Sequence, residues 1–331
     1  MLAALGSPAT IPGRVLDWFT RDLHATWGLA VSRIVLGLFT VLTVVEGWAD
    51  RTFFWGKGSA WTQPFRDETI WTAPWWGYFS AADSNTVFSA KLAVLGVFGL
   101  MLLLGLFSRI SAIAVFFMST SLIALGPTTT DTEDIIVRIL MCWLCFADTS
   151  QRLSLDRVIA RRRGKLVDIG GPRPVRDGLL PMWIRVPLSN AAVCLIGGQL
   201  IIVYVMAGTA KLHGALWRDG TAIYYPFHAE YLSPWPELSH LLGGFTPMVY
   251  FMSWMSVVIQ ILFPILLLQR YTRIFIVFSM VMLHIGIAVT LGLGLFSLAM
   301  CGADLVFVRD ESVEKLKRRL ARRRAAPPES A

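Results

Sequence analysis

The residues in this 331-residue chain whose types could do chemistry are ionisable groups set among strongly apolar ones. Lys211 closes one apolar run and is followed by His213, while His284 lies inside another. Asp134 and Arg138 are four residues apart and so share one helical face at the start of a third run. Glu46 and Lys91 stand at the ends of two more. All of them can reach one depth near one membrane face. A charge at the centre of a bilayer costs about 2.5–3.5 kcal/mol on insertion scales, so each such group calls for a partner or a function. A lysine in an apolar wall is the side chain most easily turned into a neutral amine, which is what a general base or nucleophile needs. The structural alternative is that Lys211 snorkels to the interface and pairs with Asp219, and spacing alone favours it. Arg33 and Asp304 fall at comparable depth near the other face and are expected to form a structural pair.

Other groups carry less. Cys142 and Cys145 form a C-x-x-C pattern, but in the middle of an apolar run that spacing is also plain helix packing, and a redox role takes second place. His213, His228 and His240, with Glu230 and Glu237, match no compact ligand spacing, so no metal site is expected.

Hydrophobic residues make up 55% of the chain and charged ones only 16%, with mean hydropathy +0.59. This excludes an ordinary soluble enzyme, a disordered chain or a disulfide scaffold and points to an integral membrane protein. Eight apolar runs are candidate spans: Thr26 to Gly47, Phe88 to Phe107, Ser111 to Gly126, Asp134 to Ala147, Val186 to Lys211, Pro247 to Leu268, Tyr271 to Thr290 and Leu293 to Phe307. The last two are divided at Gly292 and Gly294, because their joint length would overspan a bilayer. Residues Ile11 to Thr26 mix Val15, Leu16, Trp18, Phe19 and Leu23 with charges, as a helix lying in the interface would.

The fold expected is all-α, about eight transmembrane helices in two four-helix halves, with interfacial helices in the outer loops. The divisions are an amphipathic N-terminus (1–25), a first half (26–150), a basic linker (151–185), a second half (186–308) and a basic tail (309–331). With both termini cytoplasmic, 22 of the 30 Lys and Arg fall on the inner side, which satisfies the positive-inside rule for a plasma (inner) membrane. The net charge of +8 is therefore topology signal and anionic-lipid contact, and no nucleic-acid partner is expected. The outer connections, Trp48 to Val87 and Leu212 to Thr246, are rich in Trp, Tyr, Pro and Gly, including Trp55, Trp61, Trp71, Trp75, Trp76, Trp217 and Tyr224.

The segment Tyr204-Val-Met-Ala207-Gly208-Thr-Ala-Lys211-Leu212-His-Gly-Ala-Leu-Trp217-Arg-Asp219-Gly220-Thr-Ala222-Ile-Tyr224-Tyr225 resembles the hallmark stretch of the HTTM (horizontally transferred transmembrane) family. Arg33-Ile-x-x-Gly37, the Arg138 span ending near Ser154-Leu-Asp156, and His284 are similar to further pieces of it. That family includes the membrane portion of vitamin K-dependent gamma-carboxylase and the membrane protein of the bacterial sporulation-delaying toxin system. In the carboxylase pattern two adjacent lysines precede a leucine, and the second is regarded as the base that deprotonates the hydroquinone. Here Ala210 stands at the first and Lys211 at the second.

The resemblance implies Lys211 as a base, with His284 as a second catalytic residue. The cavity, on the extracytoplasmic side, would be lined by Glu46, Asp134, Arg138, His213, Trp217, Asp219 and Tyr224. It implies a lipid, a quinone (reduced, as cofactor) or a small secreted peptide as what the site handles, alone or with a separately encoded soluble partner. The competing expectation is a non-catalytic protein of toxin or peptide maturation, immunity or partner binding, with structural buried charges.

Overall fold

The computed structural model describes residues 11–56, 77–80, 82–125, 132–167, 175–176 and 178–325. Trp61, Trp71, Trp75 and Trp76 in the first outer connection, and Thr128 to Asp131 before the fourth span, lie outside the described residues. The chain begins with α1 (Ile11–Thr20) and α2 (Thr26–Glu46), followed by α3 (Asn85–Leu104), α4 (Ser108–Leu125), α5 (Thr132–Phe146) and α6 (Leu155–Arg162). Then come α7 (Met182–His213), α8 (Pro236–Gly244), α9 (Thr246–Leu266), α10 (Arg270–Leu291), α11 (Gly294–Asp304) and α12 (Asp310–Ala325). The described residues are all-α apart from one small antiparallel ribbon, in which Leu166 pairs with Arg176 and Val167 with Val175.

Among the described residues six helices, α2, α3, α4, α7, α9 and α10, are long and apolar enough to cross a membrane. The count of eight is therefore reached only by adding two shorter helices. At 1.5 Å per residue the 15 residues of α5 give about 22 Å and the 11 of α11 about 16 Å, short of a hydrocarbon core of about 30 Å. The cause in α11 is the break before it, since Gly292 takes φ +71 and ends α10 in the left-handed region. The flanks of the long helices carry large exposed side chains such as Val97, Phe117, Ile202 and Phe278, as a lipid-facing surface does.

Helix α2 runs through the middle of the bundle, packed against α3 on one side and α11 on the other, so the first and second halves interlock. Gly37 permits the α2–α3 approach: a Cβ there would lie 2.4 Å from the backbone nitrogen of Leu103. Helices α7 and α9 pack together, as do α10 and α11. The α1 helix is tied to α7 by Asn190, whose side-chain amide donates to the carbonyls of Trp18, Phe19 and Asp22 at 2.8–3.1 Å. The basic connection holds α6, capped by the Ser154 hydroxyl, and the ribbon.

Candidate functional site

Lys211 sits in the last turn of α7, at the end of the bundle away from α1 and α12. Its ammonium donates to Oε1 of Gln260 on α9 at 2.9 Å and lies 5.1 Å from the centre of the Trp217 ring. It does not pair with Asp219, which is exposed. No carboxylate is its partner among the described residues, so the charge is held by a neutral amide and an aromatic face. Lys211 is half-buried, and Gly208, one turn earlier, lets α7 close on Ile261 and Gln260 of α9.

Seven residues before Lys211, on the same face of α7, Tyr204 begins a buried polar cluster. Its hydroxyl donates to the Asp304 carboxylate at 2.8 and 2.9 Å and lies 3.2 Å from Nε2 of His284. A tyrosine has one proton to give, so while it donates to Asp304 the bond to His284 requires a proton on Nε2. With the proton instead on Asp304, the carboxyl donates to the tyrosine oxygen and the tyrosine donates to His284. The three groups can thus hold one proton at either end. Nδ1 of His284 and the Ser297 hydroxyl are buried without a hydrogen-bond partner among the described residues. Phe263 packs against the Tyr204 ring and Phe296 against the His284 ring, with Phe307 behind Phe263.

The expected Arg33–Asp304 pair is not formed. The Arg33 guanidinium donates to the carbonyls of Leu102, Leu103 and Leu153 at 2.6–2.9 Å, closing the C-terminus of α3, and faces the charge of Asp156. Residue depth can be read from helical rise, but azimuth cannot, and the two side chains leave their helices toward different neighbours. Gly105, at φ +69, gives the guanidinium its room, since a Cβ there would lie 2.4 Å from Nη1.

The other anticipated residues do not bond to Lys211. Glu46 and His213 are exposed, and Asp134 and Arg138 are half-buried one turn apart on α5. Lys91 pairs with Asp83 at 2.8 Å, and Tyr224 stacks on His228 with ring centres 4.0 Å apart. His228 also meets His240, but no set of three or more metal-ligating side chains gathers among the described residues. Cys142 and Cys145 are free thiols. Tyr204 and Gln260 were not anticipated, although each breaks an apolar span with a hydrogen-bonding side chain, and that was the available signal.

Apolar helices of bilayer length packed around a hydrophobic core define a polytopic all-α membrane protein. Residues 173–311 match the HTTM domain family, and residues 82–172 match the family described as TQO small subunit DoxD. The HTTM match thus covers the greater part of the second half of the chain, including Lys211, His284 and Asp304. No curated protein and no solved structure matches it.

Proposed function

We propose that this protein is a membrane enzyme that removes a proton from a lipid-soluble substrate, with Lys211 as the base and the His284–Tyr204–Asp304 cluster as the store for that proton. The observation that carries this is the Lys211 environment: a half-buried ammonium bonded to neutral Gln260, with no carboxylate among the described residues to hold its charge. A lysine so placed can give up its proton and accept another from an acidic hydroxyl. The resemblance of the Lys211 stretch to the carboxylase pattern makes a reduced quinone the first substrate to test, ahead of other lipids and small secreted peptides. Glu46, Asp134, Arg138, His213, Trp217, Asp219 and Tyr224 remain the proposed surroundings of the substrate path, with Trp217 its nearest wall.

The arrangement of Lys and Arg supports placing the α12 end, with both termini, in the cytoplasm and Lys211 at the outer face of a plasma membrane. We read residues 26–150 and 186–308 as two units joined by 151–185. The match of the first to a family described as a small subunit supports a separately encoded partner.

The complete burial of Tyr204, His284 and Asp304 favours a second reading, in which the cluster only ties α7, α10 and α11 together in a non-catalytic peptide-maturation or immunity protein. Substitution of Lys211 separates the two. An enzyme loses activity in both Lys211→Ala and Lys211→Arg at unchanged protein level, because arginine cannot give up its proton. A structural lysine tolerates Lys211→Arg and shows loss of folded protein in Lys211→Ala.

A further inference from the structure

At the opposite end from Lys211 the starts of α4 and α7 and the end of α5 meet around a cavity of about 230 Å³, partly open, with Arg109, Arg185 and Thr149 in its wall. Arg185 is 3% exposed. Its Nε lies 3.1 Å from Asp148 as an ion pair but makes no hydrogen bond. Another of its nitrogens reaches only the weak Sδ acceptor of Met182. Arg109 makes two contacts, both at the 3.5 Å limit, with the carbonyls of Cys145 and Phe146. Thr149 lines the same cavity, and its hydroxyl makes no hydrogen bond among the described residues.

The two carboxylates in the wall are already engaged. Asp156 accepts from the backbone of Phe107 and from the backbone and hydroxyl of Ser108, each at 2.9 Å, and faces the charge of Arg33. Asp148 accepts from Ser150 and from Gln151 as well as facing Arg185. Among the described residues, with Arg33 set against Asp156 and Arg185 against Asp148, Arg109 is the charge left over, and the spare donors belong to the cations. Planar guanidinium forks with unused N–H groups suit the tetrahedral oxygens of a phosphate.

Two features choose the source of that phosphate. The site lies where membrane helices end, at headgroup depth, and its rim is apolar and exposed: Phe107 at 58%, Ile110 at 48% and Leu179 at 75%. The volume also falls below the roughly 300 Å³ at which pockets for whole small molecules begin, so it fits a headgroup whose remainder stays outside. We propose that this cavity binds the phosphate of an anionic membrane lipid, held by Arg109, Arg185 and Thr149, with the acyl chains running over Phe107 and Ile110.

The test uses the full chain, purified in a neutral detergent, with native mass spectrometry counting retained phosphatidylglycerol. Wild type is expected to retain one lipid. Arg109→Gln is expected to weaken retention about tenfold, the loss of one charge-assisted contact to the phosphate. Thr149→Val, which keeps the shape of the side chain, is expected to weaken it severalfold and covers the case in which Arg109→Gln does not fold. The tail variant Arg318→Gln/Arg319→Gln should retain lipid as wild type does. Equal retention in Arg109→Gln and wild type, or in Thr149→Val and wild type where Arg109→Gln is unfolded, overturns the proposal. So does loss of the lipid in the tail variant. Thermal stabilisation by inorganic phosphate alone, without lipid retention, would make the site one for a free anion and equally overturn it.

Discussion

A buried hydroxyl between a carboxylate and an imidazole is the residue-scale feature with the sharpest consequence. Removing it in Tyr204→Phe leaves the Asp304 carboxylate and Nε2 of His284 without their shared partner. The cost expected is about 1–3 kcal/mol for a stranded polar group and more if it is charged, read as a lower thermal midpoint in detergent. Asp304→Asn should recover part of that loss when combined with Tyr204→Phe, because it removes the charge that the single change strands. Arg33 makes a different prediction. Arg33→Ala removes three hydrogen bonds from carbonyls at the end of α3 and should destabilise by about 3 kcal/mol or more, while Arg33→Lys restores part. Arg33 and Asp304 were visible in the sequence as charges inside apolar runs. Their partners were not, because rise along a helix gives a residue's depth while the crossing of two helices decides whom it meets. Lys211 shows the same division: its position is legible, and Gln260, on a helix 49 residues away, is not.

At the scale of elements, the long helices were legible because an apolar run of about 20 residues has few other uses. The two short ones, α5 and α11, fall below the length of a bilayer core, and composition does not report where a helix starts. The ribbon at Leu166–Val167 and Val175–Arg176 has two residues per strand, too few for an alternating pattern to show. One docking of elements also escaped notice. Asp310, at the start of α12, accepts from the backbone nitrogens of Thr26 and Trp27, capping α2 from 284 residues away. Glu314 takes the Trp27 indole N–H, and the Lys317 ammonium sits 3.4 Å from the centre of the Trp27 ring. This reads the start of α12 as a latch on α2 in addition to a topology signal. Asp310→Ala should cost about 1 kcal/mol, the usual worth of a cap, and should speed hydrogen exchange at Thr26 and Trp27. Unchanged protection there would mean that α12 contributes nothing to the end of α2.

For the whole molecule, α2 of the first half packs against both α3 and α11, so the two halves read along the chain meet at α2. Connectivity is read along the chain, but which helix occupies the centre depends on small residues such as Gly37 and Gly302 meeting across interfaces. The proposed orientation sets the arginine cavity at the cytoplasmic face and Lys211 at the other. A reporter fused after Ala331 should therefore be active only in the cytoplasm, and an extracytoplasmic signal would reverse the assignment. The central claim is that Lys211 acts as a base. A hydroquinone reacts with oxygen through its deprotonated form, so oxygen uptake by a reduced short-chain quinone reports its deprotonation directly. In lipid nanodiscs the wild-type protein should accelerate that uptake, and Lys211→Ala and Lys211→Arg should each lose the acceleration by on the order of a hundredfold, the usual contribution of a general base. Equal rates in wild type and both variants, or full activity in Lys211→Arg, would contradict it.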